Sequence, residues 1–231
     1  MPAAIPTVAA WRVILMPVPP EPPGRPAVIP HGAEPEGGIP LSVWATATPS
    51  RPGSTSPEYA SRLVATYSRA GQSILLTAAD PVLTAAAHFV NRTVITWPIA
   101  DERETGPTGR AHAAGWVMSA LRQAADLIID RPPLQAAEDT LSRFLDLAGM
   151  LRPGGYLLTV HTPTAGPVDP MAISIAAARA ASFRYLQHLI LLAVPITDGQ
   201  LSIPPGEPTP PDRLLTAHTD IAVFTSGGTH A

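Results

Sequence analysis

One stretch, residues 125–163, constrains the fold of this chain more than any other. An apolar run at residues 127–129 is followed by Asp130, Arg131 and the pair Pro132-Pro133. Proline cannot continue a β-ladder or enter the interior of a helix, so a strand must end here and a loop must open. The pattern therefore predicts a buried strand whose last residue is followed by a functional or connecting loop.

The residues after this loop complete a βαβ unit. Residues 135–150 carry apolar side chains at mostly helical spacing, residues 152–155 (R-P-G-G) break the helix, and residues 156–160 form a second apolar strand. Strand, helix and strand in this order indicate a parallel sheet with a right-handed crossover. Ligands bind at the carboxyl ends of the strands in such sheets. The prediction is that residues 130–134 lie on a functional edge.

Most of the remaining chain alternates helices and strands in the same way. Ser56-Pro57 and Asp80-Pro81 are typical helix starts, each with a capping side chain before a proline. This predicts a doubly wound α/β sheet of Rossmann type. The predicted helices are residues 56–71, 78–90, 111–124 and 169–182, and the predicted strands are residues 72–77, 92–97, 185–194 and 220–225.

The first part of the chain is rich in proline. Residues 1–57 hold 14 of the 29 prolines, so most of this stretch should be extended or coil. We predict an N-terminal extension over residues 1–55 and the α/β domain over residues 56–231. Two apolar islands, residues 9–16 and 39–46, are predicted strands, and we favour their packing at the edge of the main domain over a target-recognition role.

Composition excludes several classes of protein. The 231 residues suit one α/β domain, and a net charge of −3 with 14% charged residues provides no basic field for nucleic acid. There is no cysteine, and the seven histidines contain no H-x-x-x-H pair, which argues against disulfides and metal sites. No apolar run reaches the length of a membrane span, and no signal-peptide pattern is present, so the cytoplasm is the expected location.

The order of motifs resembles the second half of a class I S-adenosylmethionine-dependent methyltransferase. The resemblance lies in an apolar strand running into x-P-P-x, a helix, and L-R-P-G-G-Y-L. It is similar to the group that methylates exocyclic amino groups of bases, where the strand ends in (D/N/S)-P-P-(Y/F). The phrases R-Y-L-Q-H-L-I, I-T-D-G-Q-L and H-T-D-I-A-V-F are similar to actinobacterial DNA-methylase-like sequences, so the resemblance covers residues 42–225. It implies a Rossmann-like sheet with an antiparallel C-terminal strand, S-adenosylmethionine as cofactor and nucleic acid as partner.

The resemblance implies that the cofactor binds around Thr77, Ala79, Asp80, Val82 and Thr96. The family's loop resembles L-D-P-x-x-G-x-G-T, whose glycines let the backbone approach the cofactor. Asp80 and Val82 stand at about those glycine positions here, and the strand ending at Thr96 is not followed directly by an acid for the ribose hydroxyls. Because a branched side chain at Val82 would crowd the cofactor, we favour a simple strand-to-helix turn capped by Asp80 over a cofactor loop.

The implied catalytic residues are Asp130, Arg131, Pro132, Pro133 and Leu134. In the family, the polar residue before Pro-Pro accepts a hydrogen bond from the target amine, and the following aromatic residue stacks on a flipped-out base. Arg131 has no acceptor and Leu134 has no π-face. Asp130 could substitute if the loop shifts by one residue, but we favour an Asp130 that ends the strand and pairs with Arg131 or a neighbour.

Other candidate residues are histidines and arginines. His161 would lie near the pocket as a general base, although a histidine at a strand end is more often a satisfied edge residue. His188, inside the most apolar strand, is predicted in the core with its nitrogens bonded internally or at the sheet edge. Four arginines could form a patch for anions: Arg92, Arg122, Arg131 and Arg152.

Two functions of different classes follow from these residues. The first is an S-adenosylmethionine-dependent methyltransferase related to DNA or RNA base methylases, with an unusual cofactor loop. The second, favoured by the departures from both motifs, is a catalytically inactive protein of the same fold that acts as a partner or scaffold. A third function, that of a different Rossmann-type nucleotide binder, is less favoured because this sequence contains no G-x-G-x-x-G signature. An open pocket against Asp130 and Leu134 would support the first, and a pocket filled by Val82 and Trp97 the second.

Overall fold

Seven strands form one sheet in a computed structural model of the chain, which describes residues 39–46, 54–97, 120–132, 137–162, 169–197, 200–201 and 218–226. The strands are β1 Leu41–Trp44, β2 Ser73–Leu76, β3 Thr93–Thr96, β4 Ala125–Asp130, β5 Leu151–His161, β6 Phe183–Leu192, β7 Ile196–Thr197, β8 Gln200–Leu201 and β9 His218–Ser226. The helices are α1 Pro57–Tyr67, α2 Pro81–Phe89, α3 Ala137–Met150 and α4 Pro170–Ala180.

The strand order identifies the architecture. The sheet runs β1-β6-β9-β5-β4-β2-β3, and β7 with β8 forms a separate two-stranded ribbon. Strand β9 is antiparallel to both of its neighbours, whereas every other pair in the large sheet is parallel. The predicted fold, a Rossmann-like and mostly parallel sheet with an antiparallel C-terminal strand, is confirmed.

Helix starts lie where the sequence predicts them. Ser56, Asp80 and Asp169 are N-caps whose side chains accept hydrogen bonds from amides of the first turn, and each precedes a proline. The end of α1 differs from the prediction. The helix stops at Tyr67, and Gly71, with φ of +81°, lies in the turn that leads into β2. Capping is thus local chemistry that the sequence carries by itself.

Strand β1 lies at one edge of the sheet. It pairs in parallel with β6, with Leu41 opposite His188, which confirms that residues around 39–46 pack at the domain edge. The buried hydroxyl of Tyr59 lies 2.7 Å from the carbonyl oxygen of Trp44 and 2.6 Å from that of Leu192. Burial raises the pKa of Tyr59 to about 12, so the phenol stays protonated and ties β1 to β6 and α1.

Two hydrophobic clusters cover the two faces of the sheet. Helices α1 and α2 pack on one face with side chains that include Leu63, Val64 and Leu83. Helices α3 and α4 pack on the other, where Phe144 and Phe224 meet at 6.2 Å between ring centroids. No helix in the described part of the chain is long and apolar enough to cross a membrane.

Several predictions concern residues outside the described ranges. These are the strand at 9–16, most of the extension at 1–55, residues 111–119 of a predicted helix, and the side chains of Pro133 and Leu134. The last part of that predicted helix is described, and residues 121–123 form a turn before β4. The domain boundary at residue 55 stays a prediction.

The connections place a switch point between β2 and β4. From β2 the chain passes through α2 to β3 on one side, and from β4 it passes through α3 to β5 on the other. The strand order therefore reverses between two adjacent parallel strands, Ile74–Leu76 of β2 lying beside Leu127–Ile129 of β4. In open α/β sheets this is where ligands bind.

Candidate functional site

The carboxylate of Asp130 lies at the switch point and is bound from two sides. It has no exposed surface. The Thr77 hydroxyl donates to its Oδ1 at 2.7 Å, and Arg143 donates from Nη2 to the same oxygen at 2.5 Å. Arg143 Nε lies 3.1 Å from Oδ1 and 3.3 Å from Oδ2. Of the predicted alternatives for the partner of Asp130, Arg131 or a neighbour, the structure shows a neighbour in space, Arg143, which reaches across from α3.

Arg131 makes a second ion pair on the other side of Thr77. Its Nη2 lies 2.9 Å from Oδ2 of Asp80 and also donates to the Thr55 hydroxyl. That hydroxyl is 3.0 Å from the same Asp80 oxygen. The other oxygen of Asp80 accepts from two amides of the first turn of α2, both at 3.0 Å. The predicted cap at Asp80 is confirmed, and the same carboxylate also anchors Arg131.

The two ion pairs share one hydroxyl. Thr77 donates its hydrogen to Asp130, and its oxygen accepts from the backbone amide of Arg131 at 3.1 Å. The Thr77 amide in turn donates to the carbonyl of Ile129 at 3.2 Å, which continues the β2–β4 ladder by one residue. The ends of β2 and β4 are therefore joined by hydrogen bonds where the strand order reverses.

A cavity remains beside this network. It has a volume of about 270 Å³ and is lined by Ser54, Thr55, Ala79, Asp80, Pro81, Val82 and Arg131. Val82 packs partly against the cluster under α1 and α2. Trp97 belongs to the opposite face, where the Arg143 guanidinium carbon lies 6.0 Å from its ring centroid. Val82 and Trp97 therefore do not fill one space together, and the groups that wall the cavity on its polar side are Asp80 and Arg131.

The described residues do not fit S-adenosylmethionine as they stand. Asp80 holds a charged, hydrogen-bonded side chain at a position where the family's pattern has a glycine. Thr96 is exposed at the end of β3 and carries a hydroxyl where the pattern has a ribose-binding acid. At this turn the Asp80 carboxylate caps α2 and pairs with Arg131.

Most of the predicted site residues meet at the switch point. Thr77, Asp80, Asp130 and Arg131 form the network, and Ala79 and Val82 line the cavity beside it. Thr96 lies one strand away at the end of β3. Pro132 is half-buried where β4 leaves the sheet, and Pro133 and Leu134 lie beyond the described residues.

Arg143 and Thr55 of this network were not predicted from the sequence. Arg143 had a detectable signal, because it lies three residues after Thr140 and four before Leu147, both buried on the inner face of α3. A charged residue on a buried helical face needs a counter-charge. Thr55 had no comparable signal, since it contacts Asp80 only when the chain before α1 returns to the β2–α2 turn.

A second polar cluster crosses β5, β6 and β9. Buried His161 lies 3.1 Å from the Thr159 hydroxyl through Nε2, and burial lowers the pKa of its imidazole below the ordinary 6.5 despite nearby carboxylates. Asp220, opposite His161 in the ladder, contacts His188 at 2.9 Å and His218 at 3.3 Å. His188 is half-buried, outside the core, and internally bonded. No group of three or more potential ligands among the described side chains is arranged to hold a metal ion.

The four arginines of the predicted anion patch do not come together. Arg92, Arg122 and Arg152 precede or begin parallel strands at the amino edge of the sheet, and Arg131 follows β4 at the carboxyl edge. Arg92 donates to the backbone carbonyl of Ser68 at 2.8 Å. Arg152 pairs with Asp126 at 2.8 Å. The patch is wrong as a single anion site.

Comparisons with known proteins find likeness only among solved structures. No family model matches the sequence, and no curated protein sequence matches it significantly. The 1,6-didemethyltoxoflavin-N1-methyltransferase of Burkholderia thailandensis, solved with S-adenosylhomocysteine, is 14% identical, with 74% of this chain and 77% of that one covered and a TM-score of 0.48. A predicted O-methyltransferase of Agrobacterium tumefaciens is 18% identical, with 76% of this chain and 82% of that one covered and a TM-score of 0.45. A 16S rRNA (adenine(1408)-N(1))-methyltransferase of Catenulisporales acidiphilia is 13% identical, with 77% of this chain and 94% of that one covered and a TM-score of 0.43.

Proposed function

We propose that this chain is a methyltransferase-like protein, related to the S-adenosylmethionine-dependent enzymes that methylate bases of DNA or RNA, and that it acts as a protein partner or scaffold without transferring methyl groups. The observation that carries the proposal is the state of Asp130. This acid stands closest to the family's amine-accepting position, and it is wholly buried in a bidentate pair with Arg143.

The burial of Asp130 bears directly on amine chemistry. An acceptor for an exocyclic amine must present a lone pair to the substrate. The Oδ1 of Asp130 already accepts from Thr77 and Arg143, and its Oδ2 faces Arg143 as well. Breaking a buried pair of this kind costs about 3–5 kcal/mol, which a weakly bound base cannot offset. Asp130 is therefore better suited to hold α3 against β4 than to bind a substrate.

The cofactor side supports the same proposal. The donor's amino-acid and ribose groups would need close backbone approach at the β2–α2 turn. That turn instead carries Asp80, whose two oxygens cap α2 and hold Arg131. The side chains of Thr77 and Asp80 at the turn thus have partners within the chain.

A specific observation favours the alternative, a methyltransferase with an unusual cofactor loop. The cavity of about 270 Å³ lies at the switch point, where Rossmann-type sheets bind ligands. In that case Thr77, Ala79, Asp80, Val82 and Thr96 would hold the donor, and a nucleic acid would be the methyl acceptor. The donor, when bound, would supply the methyl group and its leaving sulfur.

Titration calorimetry of the full chain separates the two proposals. We expect no heat of binding with S-adenosylmethionine or S-adenosylhomocysteine up to millimolar concentration. The folded state of the sample would be checked by circular dichroism in the same buffer. Micromolar binding of either compound would overturn the partner proposal and direct the search to a methyl acceptor.

A further inference from the structure

We infer that the ion pair of Arg131 with Asp80 blocks the entry of adenosyl ligands into the switch-point cavity of this chain. The inference rests on the proposed function and gives a physical reason for the lack of cofactor binding that the proposal expects. Both side chains line the cavity, and their ion pair of 2.9 Å spans its polar side. An adenosyl amino acid would have to displace this pair in order to enter.

The contact is held in place from three directions. Thr55, on the segment before α1, bonds to both members of the pair. The Arg131 amide donates to the Thr77 hydroxyl at 3.1 Å, which fixes the backbone from which the side chain extends. Asp80 is fixed by the first-turn amides of α2. A ligand must therefore compete with several internal hydrogen bonds at once.

The Arg131 side chain takes up space beside the cavity, whose volume is about 270 Å³. An arginine has six heavy atoms beyond Cβ, and one water molecule occupies roughly 30 Å³ of liquid. Removing those six atoms adds the space of several waters to the cavity.

Of the two ion pairs at the switch point, this is the removable one. The side chains of Arg131 and Asp80 are 28% and 12% exposed, whereas those of Arg143 and Asp130 are 21% and 0% exposed. Without Arg131, the Asp80 carboxylate keeps Thr55 and two helix amides as donors. Replacing Asp80 by serine as well removes the remaining charge and keeps an oxygen that caps α2.

The experiment compares four full-length proteins by calorimetry with S-adenosylhomocysteine. These are the wild type, Arg131→Ala, the double variant Arg131→Ala/Asp80→Ser, and the control Arg152→Ala. The control removes an arginine of the same kind of pair, with Asp126, from the amino edge of the sheet. We expect the double variant to bind with a dissociation constant at least tenfold below the 1 mM detection limit. The wild type and the control should show no heat of binding.

Each outcome bears on a different claim. If the folded double variant and the wild type both show no heat of binding, the blocking role of the ion pair is refuted and the proposed function stands. Micromolar binding by the wild type overturns both. If the double variant and Arg152→Ala gain equal affinity for S-adenosylhomocysteine, the ion pair of Arg131 with Asp80 is not the cause of the block. If the double variant does not fold, Arg131→Ala alone carries the test, because its Asp80 keeps three hydrogen-bond donors.

Discussion

Substitution of Arg143 by methionine is the sharpest test of the buried pair. Methionine keeps a long apolar stem under α3 and removes the guanidinium that binds Asp130 through Nε and Nη2. The Thr77 hydroxyl is then the remaining donor at 2.7 Å. The variant leaves a carboxylate with no exposed surface beside an apolar cluster that includes Phe144 and Leu147.

Breaking a buried pair by removing one partner costs about 3–5 kcal/mol, because the other charge stays uncompensated. The pair of Arg152 with Asp126 provides the comparison on the same strand. Arg152 is 47% exposed, so solvent screens the interaction and its loss should cost about 0–1 kcal/mol. Burial, and not ion-pair distance, decides the difference, since the two pairs are 2.5 Å and 2.8 Å long.

Urea denaturation of the full chain measures both losses in the free energy of unfolding. In a thermal melt of a chain of this size, 1 kcal/mol corresponds to about 2–4 °C, so the melting temperature of Arg143→Met should be roughly 10 °C lower. Combining it with Asp130→Asn removes the stranded charge, and the double variant should lose less than the sum of the two single losses. A loss below 1 kcal/mol in Arg143→Met, or a loss equal to that of Arg152→Met, would refute the reasoning.

Two further predictions concern other sites. Gly155→Ala should lower the free energy of unfolding by about 1–3 kcal/mol in thermal melts, because its Cβ would meet the backbone oxygen of Asp126 at 2.7 Å. In the control Gly154→Ala, the added Cβ meets no atom within 4 Å, so the cost is the strain of φ +76° alone and the loss of stability should be smaller. A Gly155→Ala variant that melts at the same temperature as the wild type would contradict the predicted clash. Burial lowers the folded pKa of His161 below 6.5, so the unfolded chain takes up the proton first and stability falls as pH drops below 6.5. His161→Gln should flatten that fall in urea titrations at pH 7.5, 6.5 and 5.5, and an unchanged slope would refute the assignment.

Much of the fold followed from short-range patterns. The N-caps at Ser56, Asp80 and Asp169 depend on a side chain and amides within a few residues, so they were predictable. The parallel order of β4 and β5 followed from the strand–helix–strand pattern and the handedness of its crossover. The carboxyl edge of the sheet, and with it the general place of the site, came from the same argument.

The sequence by itself therefore determined the element order, the parallel sheet and the edge where Asp80, Asp130 and Arg131 gather. Only the tertiary structure decided which charges pair. Arg131 takes Asp80, 51 residues away in the chain, and Arg143 takes Asp130 across the helix–sheet interface. Ion pairing depends on distance and burial, which arise when α2 and α3 dock on the sheet, whereas capping and strand endings are completed within a few residues of chain.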